Sequence, residues 1–333
     1  YRGSKWQSDE QKADLANAWA KHPKLAKTTD FVTGWFARFF DYADKVPDAV
    51  AAFVATNSVC QGQQASEVWP VAFERGCEIR FAHTSFKWAN LAAHNAGVTV
   101  VVIGLGKKSN QPKQLFLEDM LKQCTAIGPY LVPDSLAYVE KANDPIGGQS
   151  VMLFGNMPRD GGAFVLDGEE RARVLMQHPE LERFVRPYMG SEQMIQGKPR
   201  WCLWIEDEDA PFAQQHPYLK TVLDSVRAFR LSSAASSTRD FAARPHRFVQ
   251  IAGTAKQHSL VVAKVSSERR PYLPVDLFDS SVIVSDLLFA LYDAPLWNLA
   301  VLASRLHLVW IATVCGTMRT DFRSSNTIGW NTF

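Results

Sequence analysis

The chain has 333 residues, 47% of them hydrophobic, and its 36 Lys+Arg against 34 Asp+Glu give a formal net charge of +2. This length accommodates two globular units, and the composition excludes a disordered or fibrous protein. The most apolar stretch, residues 281–303, is interrupted by two aspartates and a proline. No run therefore reaches the ~18–20 uncharged residues that a membrane span requires.

The first third of the sequence predicts an α/β arrangement. Ser8 followed by Gln11 fits a capping box, which predicts the start of a helix. The elements predicted after it are a buried strand, a helix and two further strands, at residues 49–58, 64–75, 78–86 and 97–103. We expect the last two strands to form an antiparallel edge pair, because only a short segment joins them.

The common nucleotide and metal fingerprints are not found. Gly104-Leu105-Gly106 follows a predicted strand but lacks a third glycine, which favours an ordinary turn. The sequence has no G-x-x-x-x-G-K-S/T, and its eight histidines include no H-E-x-x-H pair. The acidic run at 206–209 has no matching ligands nearby, so it predicts a solvated loop, and we expect no metal site.

The five cysteines are scattered and never form a C-x-x-C pair. This spacing argues against a disulfide framework or a zinc site and favours a reducing, cytoplasmic location. The chain begins at Tyr1 without an initiator methionine or a leader, which indicates a piece of a longer polypeptide.

Three segments lie at or beside the predicted strands: NSVCQG at 57–62, FAHTSFKWANLA at 81–92 and GVTVVVIGL at 97–105. They resemble the last strands of MmeI-like, adenine-specific DNA methyltransferases. In that family a catalytic Asn-Pro-Pro-Phe/Tyr tetrapeptide is followed by a short Gly-Ser turn, which YRGSK at 1–5 resembles. The resemblance implies that Tyr1 is the last, catalytic residue of the tetrapeptide and that S-adenosylmethionine is the methyl donor.

Later segments extend the resemblance to the end of the chain. FVRPYMGS at 184–191 and RWCLWI at 200–205 look like the opening of a DNA target-recognition domain. Further matches are GNMP at 155–158, VSSERRPYLP at 265–274 and RSSNT at 323–327. The glycine-rich loop with which family members hold S-adenosylmethionine is missing, as is the nuclease region that often precedes it. We therefore expect this chain to carry half a catalytic site and not to bind S-adenosylmethionine tightly by itself.

Phe86 and Trp88 lie at the predicted carboxyl end of a strand. An amino group inside a duplex is unreachable, so an enzyme that modifies it must flip the base out and replace the lost stacking with aromatic faces. Residues two apart on a strand project to the same side. The resemblance implies that these two aromatics stack on the target base opposite Tyr1, whereas the residues alone favour ordinary core packing.

The final third is the most basic part of the chain, with 12 basic and 7 acidic residues over 225–333. Between residues 226 and 250, arginines alternate with serines and a threonine, a composition suited to phosphate contact. A solvated helix and loop is the alternative. The arginines predicted to contact DNA here are Arg227, Arg230, Arg239, Arg244 and Arg247.

A second charged group contains side chains that can read base edges, since a glutamate accepts from cytosine and an arginine donates twice to guanine. The alternative is a surface salt-bridge cluster. With two arginines near the end of the chain, this group completes the predicted DNA-binding set: Glu268, Arg269, Arg270, Arg319 and Arg323.

The predicted fold is α/β: the carboxyl half of a Rossmann-like class I methyltransferase sheet, followed by an α+β target-recognition domain. We place these parts at 1–115 and 146–333, with a connector at 116–145. The predicted function is part of a site-specific adenine DNA methyltransferase of a type II restriction-modification system, acting on a flipped adenine of double-stranded DNA, with the fragment alone inactive. A non-catalytic DNA-binding specificity module is the alternative; an RNA or protein methyltransferase would leave the later motifs unexplained.

Overall fold

The structure, a computed structural model, describes residues 3–88, 98–318 and 320–333. The chain divides into two compact units. Unit 1 comprises Tyr1–Gly147, Ser267–Arg269 and Val309–Phe333, and unit 2 comprises Gly148–Ser266 and Arg270–Leu308. Among the described residues, every helix is too short or too polar to cross a bilayer.

The helices of unit 1 that precede and flank its sheet are α1 (Asp9–Ala18), α2 (Leu25–Thr28), α3 (Thr33–Lys45) and α4 (Gly62–Glu74). The predicted capping box is confirmed: the Gln11 amide donates to Ser8 Oγ at 3.2 Å, and the Ser8 amide donates to Gln11 Oε1 at 3.0 Å. Helix α3 buries Phe36 and Phe40 completely, so its aromatic face forms part of the core of unit 1.

The strands of the main sheet of unit 1 are β1 (Val50–Thr56), β2 (Cys77–Lys87), β3 (Thr99–Lys107), β4 (Lys113–Leu117) and β5 (Met120–Cys124). They form one sheet in the order β1-β3-β2-β4-β5. Strand β3 is antiparallel to both β1 and β2, while β2 and β4 are parallel. The predicted antiparallel pairing of β2 with β3 is confirmed. Their predicted place at the edge is wrong, because β3 lies between β1 and β2.

Two further predictions about these strands are wrong. Strand β1 is buried on one face only: it pairs with β3 alone among the described strands, and Val54 is 52% exposed, whereas Ala55 is 3% exposed. Gly104 and Gly106 form no turn, because both lie inside β3. A Cβ on Gly104 would stand 2.1 Å from the Phe81 ring, so this glycine admits the bulky side chain of the neighbouring strand.

Unit 2 is built from many short strands and from helices that cover them. Its strands are β6 (Leu153–Phe154), β7 (Val165–Leu166), β8 (Val185–Met189), β9 (Trp201–Leu203), β10 (His258–Ala263), β11 (Val265–Ser266), β12 (Val275–Asp279), β13 (Ile283–Val284) and β14 (Leu288–Tyr292). Its helices are α5 (Gly168–Gln177), α6 (Ser191–Gln196), α7 (Ala210–Gln215), α8 (Pro217–Leu231), α9 (Ser236–Arg239) and α10 (Trp297–Leu302).

The sheets of unit 2 follow the orders β12-β10-β14-β6 and β13-β8-β9-β7. Neighbours in the first sheet are antiparallel, and β13 pairs with β8 in parallel. The core against the second sheet includes Phe164, Phe184 and Leu219. Because most of these strands are short, much of the backbone of unit 2 lies in loops whose polar groups need other partners.

The last part of the chain contains α11 (Arg305–Val314), β15 (Thr317–Met318), β16 (Asp321–Arg323) and a π-helical turn (Asn326–Trp330). Trp330 is completely buried, and Asn331 Nδ2 donates to the carbonyls of Ala142 and Asn143 at 2.9 and 2.8 Å. These bonds fix the end of the chain within unit 1.

Candidate target-base and DNA-binding site

The carboxyl ends of β1 and β2 lie together along one border of the sheet in unit 1, the edge that is formed by the ends of its strands. Val100, near the start of β3, pairs with Thr56 on one side and with Phe86 on the other. Both strands run antiparallel to β3, so the loops that follow them leave the sheet at this same edge. In α/β sheets such an edge is where ligands bind.

Phe86 and Trp88 project from this edge. A register shift between His83 and Phe86 interrupts the ladder of β2, and the amide of Trp88 donates to the Val98 carbonyl at 2.9 Å. Bulges of this kind redirect side chains next to functional sites. The two rings are 39% and 37% exposed, with centroids 6.4 Å apart and planes tilted by 41°. The two rings are therefore not packed in the core, which was the alternative prediction for them.

The turn after β1 is held by side-chain hydrogen bonds. Trp69 Nε1 donates to the Val59 carbonyl at 2.9 Å, and burial raises the pKa of the Cys60 thiol well above its ordinary value. Asn57 Nδ2 donates to Thr317 Oγ1 at 3.2 Å, while the Thr317 amide donates to Gln61 Oε1 at 3.2 Å. Strand β15 is thereby tied to the loop beside the candidate site, and Cys60 is no activated nucleophile.

A cavity of about 290 Å³ lies next to this edge, within unit 1. Its lining combines apolar side chains with hydroxyl and amide groups, and includes Gln61, Thr84, Ser85, Tyr130, Leu131 and Thr313. Burial raises the pKa of Tyr130, so the phenol stays protonated, and its oxygen accepts from the Val139 amide at 3.0 Å.

Arg230 does not take the role predicted for it. Its side chain is completely buried, and all five guanidinium N–H groups donate to backbone carbonyls at 2.6–3.1 Å. The acceptors are the carbonyls of Pro158, Arg159, Phe241, Arg244 and Arg247. Burial lowers the pKa of Arg230 to about 10, which still leaves it charged at neutral pH. The structure corrects the prediction: Arg230 organises the loop that carries Arg244 and Arg247, and no phosphate can reach it.

The other four arginines of this segment are at least partly exposed. Arg239 Nη1 donates to the carbonyls of Ser233 and Ala234 at 2.7 and 2.8 Å. Arg227 lies 3.4 Å from Asp224, and the Arg244 guanidinium stands 4.8 Å from the centroid of the Phe241 ring. Surface contacts of this kind are weak. Because the three guanidinium groups are also exposed, they remain accessible to an anionic ligand.

Arg247 is paired with Asp207, which also accepts a hydrogen bond from His246 Nε2 at 2.8 Å. The hydrogen bond from His246, followed by the charge of Arg247, holds the pKa of Asp207 below its usual range. Asp207 belongs to the acidic run predicted to be a solvated loop. The run is largely exposed but is ordered as a 3₁₀ turn, Asp207–Asp209.

The second charged group lies in an exposed turn, with Glu268, Arg269 and Arg270 all open to solvent. Within the described part of the chain, no ion pair joins either arginine to a carboxylate. Arg323 is exposed in β16. Tyr1 and Arg319 lie outside the described residues, so the structure says nothing of their predicted roles.

Several residues of the motifs that carry the family resemblance stabilise the backbone of unit 2. Asn156 is fully buried; its Nδ2 donates to the Gly253 carbonyl at 2.9 Å and its Oδ1 accepts from the Ala252 amide at 2.8 Å. A Cβ on Gly155 would stand 2.0 Å from the Ser285 carbonyl oxygen. Arg186 donates to two loop carbonyls, each at 2.7 Å. Asn156 and Arg186 thus hydrogen-bond to backbone groups of unit 2, and Gly155 leaves room for the Ser285 carbonyl.

Sequence reasoning missed Arg159. This exposed arginine donates to Thr238 Oγ1 at 2.8 Å, so it lies beside α9 and Arg239. It precedes Asp160-Gly161-Gly162, and both glycines have positive φ, 70° and 91°. A basic residue before a glycine-rich turn was the available signal, and Arg159 joins the candidate phosphate contacts.

Two family models match the chain. The model described as the MmeI target recognition domain matches residues 133–333, and the model described as the MmeI DNA-methyltransferase domain matches residues 1–117. The chain belongs to the MmeI family. This membership confirms the resemblance stated from the sequence segments.

Individual relatives agree with the family assignment. DNA methyltransferase A of Bacillus subtilis (strain 168) is 36% identical over 334 residues, a match that covers 100% of this chain and 38% of that protein. A solved structure of the type IIL restriction-modification enzyme MmeI in complex with DNA is 30% identical, with a TM-score of 0.91, over 99% of this chain and 45% of that one. The chain thus spans less than half the length of either of these two proteins.

The similarity to MmeI also confirms the predicted fold class, the carboxyl half of a class I methyltransferase sheet followed by a recognition domain. In this chain that sheet has the order β1-β3-β2-β4-β5, with β3 antiparallel to both β1 and β2. A DrdV–DNA complex is similar at 10% identity and a TM-score of 0.38.

Proposed function

We propose that this chain is part of a site-specific adenine DNA methyltransferase of a type II restriction-modification system. The protein would bind double-stranded DNA, flip an adenine out of the helix and methylate its exocyclic amino group. The observation that carries the proposal is the exposed pair Phe86 and Trp88 at the edge where β1 and β2 end. A flipped base needs such aromatic faces to replace its lost stacking.

The methyl donor would be S-adenosylmethionine, which supplies an electrophilic methyl group. Gly104 and Gly106 form no glycine-rich loop that could hold it, because both lie inside β3 against Phe81 and Arg80. Tyr1 remains the proposed partner of Phe86 in stacking on the base, on the strength of the family resemblance alone.

The proposed DNA contacts are those predicted basic side chains that the structure leaves accessible. Phosphates would be bound by Arg227, Arg239, Arg244, Arg247 and Arg323, with Arg159 added and Arg230 removed. Glu268, Arg269 and Arg270 are proposed to read base edges, and Arg319 is kept as a DNA contact. We also retain the division into a methyltransferase part (1–115), a connector (116–145) and a recognition domain (146–333).

Phe86→Ala in the full-length protein tests the proposal. Loss of one stacking face costs about 1–3 kcal/mol per base, so we expect a fall in methylation rate of roughly fivefold to a hundredfold. The fluorescence of 2-aminopurine placed at the target adenine should change as well. Trp35→Ala is the matched control, because Trp35 is an exposed aromatic (55%) on α3. Unaltered methylation and unaltered fluorescence in Phe86→Ala would contradict the role of this ring.

The rival function is a non-catalytic DNA-binding specificity module. Both functions predict DNA binding that weakens steeply with salt, because bound phosphates release counterions. They differ in methyl transfer. A full-length protein that binds a defined site and never methylates adenine there would establish the rival.

A further inference from the structure

Two Gln-His-Pro turns, at residues 177–179 and 215–217, lie side by side in unit 2. In each, the histidine precedes a helical segment whose first residue is the proline: Pro179–Phe184 after His178, and α8 after His216. Proline fixes its own φ and restricts the residue before it, so both histidines stand on defined backbone. Their rings are 4.9 Å apart, between centroids, at an angle of 78°.

Glu180 stands between the two histidines. Its Oε1 is 2.8 Å from His216 Nε2 and 3.6 Å from His178 Nδ1, and the three ligand atoms all lie within 4.8 Å of one another. The hydrogen bond from His216 holds the pKa of Glu180 below its usual range, so the carboxylate is charged at neutral pH. In the described part of the chain no other three His, Cys, Asp or Glu side chains converge in this way.

We propose that His178, Glu180 and His216 bind a transition-metal ion of the Zn²⁺ type. Two imidazole nitrogens and one carboxylate oxygen suit Zn²⁺, Co²⁺ or Ni²⁺ better than Mg²⁺ or Ca²⁺, which prefer oxygen ligands. The ion joins segments 36 residues apart, the turn after α5 and the start of α8. Because Glu180 is 48% exposed, water can occupy the fourth position.

The geometry requires movements of up to about 1.5 Å. Ligands about 2.05 Å from a tetrahedral ion stand about 3.3 Å apart, so the Glu180–His216 separation opens by about half an ångström and His178 moves inward. One hydrogen bond opposes binding: the Leu219 amide donates to His216 Nδ1, at 3.4 Å. When Nε2 binds the ion, the single proton of the neutral ring moves to Nδ1, and this long, weak capping bond is lost.

Titration of the metal-free 333-residue chain with Co²⁺ tests the site. We expect one Co²⁺ per chain, with a visible absorption band that Zn²⁺ abolishes, and a melting temperature several degrees higher with Zn²⁺ bound. His178→Ala removes one ligand and Glu180→Gln replaces the anionic ligand with a weak neutral one, so each should weaken binding at least tenfold. Glu182→Gln is the matched control, since Glu182 is exposed on the same turn and lies outside the cluster.

Two outcomes would overturn the site. The first is no visible band and no thermal shift in the unmodified chain at micromolar metal. The second is equal affinity in Glu180→Gln and Glu182→Gln, which would make the cluster a hydrogen-bonded pair only. His216→Ala is not used alone, because it also removes the N-cap of α8. Methyl transfer is not measured here, so neither outcome depends on the proposed enzymatic function.

Discussion

The motif side chains that project into solvent in unit 1 have counterparts in unit 2 that are buried. In unit 1, Phe86 and Trp88 project into solvent from the end of a long strand, whereas in unit 2 Asn156 and Arg230 are completely buried. The five strands of the main sheet of unit 1 are five to eleven residues long, and the strands of unit 2 are two to six residues long. In a long strand pair the backbone N–H and C=O groups bond to each other, which leaves the side chains free to contact a ligand. A loop-rich domain must use buried polar side chains to satisfy its loops.

The largest effect that this comparison predicts is at Arg230. Arg230→Met removes five donors from buried carbonyls while preserving most of the side-chain volume, so we expect a loss of about 3–5 kcal/mol in the free energy of unfolding. Urea denaturation followed by circular dichroism measures it. Arg227→Met, one turn earlier on α8 and 46% exposed, should change stability by no more than about 0.5 kcal/mol. Equal effects in the two variants would show that the buried guanidinium is not what organises this loop.

A smaller effect is expected at Gly104, in the sheet of unit 1. Gly104→Ala places a Cβ 2.1 Å from the Phe81 ring, and the overpacking should cost about 1–3 kcal/mol. Gly168→Ala, near the start of α5, has 3.9 Å of clearance and should be close to neutral. In a double-mutant cycle, Phe81→Leu should recover part of the loss. Additive effects would mean that contact with Phe81 is not why β3 carries a glycine here.

The sequence was sufficient for local structure and insufficient for long-range pairing. The capping box of Ser8 and Gln11 and the course of β2 depend on neighbouring residues, and both were predicted. The insertion of β3 between β1 and β2 depends on contacts distant in sequence, and period-2 patterning does not encode them. The prediction of a turn at Gly104 was wrong for this reason: the Phe81 ring, which requires a glycine at this position, belongs to another strand.

Arg230 shows a signal that was present but misread. The buried residues of α8 are Leu219, Leu223, Val226 and Arg230, spaced by four, three and four positions. This is the periodicity of a helix face in contact with the core, and the arginine continues it. Charge and composition suggested a phosphate ligand, whereas its position in the periodic pattern indicated burial.

The exposed basic residues separate into two classes by salt dependence. If Arg239 binds a phosphate, Arg239→Ala weakens binding of the full-length protein to every duplex alike and lowers the slope of log affinity against log salt by about one. If Arg270 reads a base, Arg270→Ala costs about 1–3 kcal/mol on the cognate site and little elsewhere. Fluorescence anisotropy across salt concentrations measures both.

Methylome sequencing of cells expressing Glu268 and Arg270 variants decides whether this turn chooses the base. A relaxed motif at one position would support base reading. An unchanged motif in every active variant, together with a lower melting temperature, would make the turn a fixed structural element instead. The absence of an ion pair from Arg270 to Asp276 in the described structure favours the first outcome.

The smallest predicted effect is at Asp207. This carboxylate stabilises the fold through His246 and also pairs with Arg247, a candidate phosphate contact. The pKa of Asp207 is lowered in the folded chain, chiefly by the hydrogen bond from His246, so its stabilising contribution is present above about pH 4 and is lost as the pH falls through the folded value. Asp207→Asn should flatten this part of the acid dependence of stability and change little at pH 7, because Asp207 is 54% exposed.

The same substitution releases Arg247 from its carboxylate partner. If Arg247 contacts phosphate, Asp207→Asn should raise DNA affinity at low salt, within about fivefold, and the gain should disappear in the double variant Asp207→Asn/Arg247→Ala. Glu208→Gln, a neighbouring exposed acid without such a partner in the described structure, controls for the change in net charge. An equal gain from Glu208→Gln would show a general effect of charge and would leave Arg247 as a structural partner of the acidic turn.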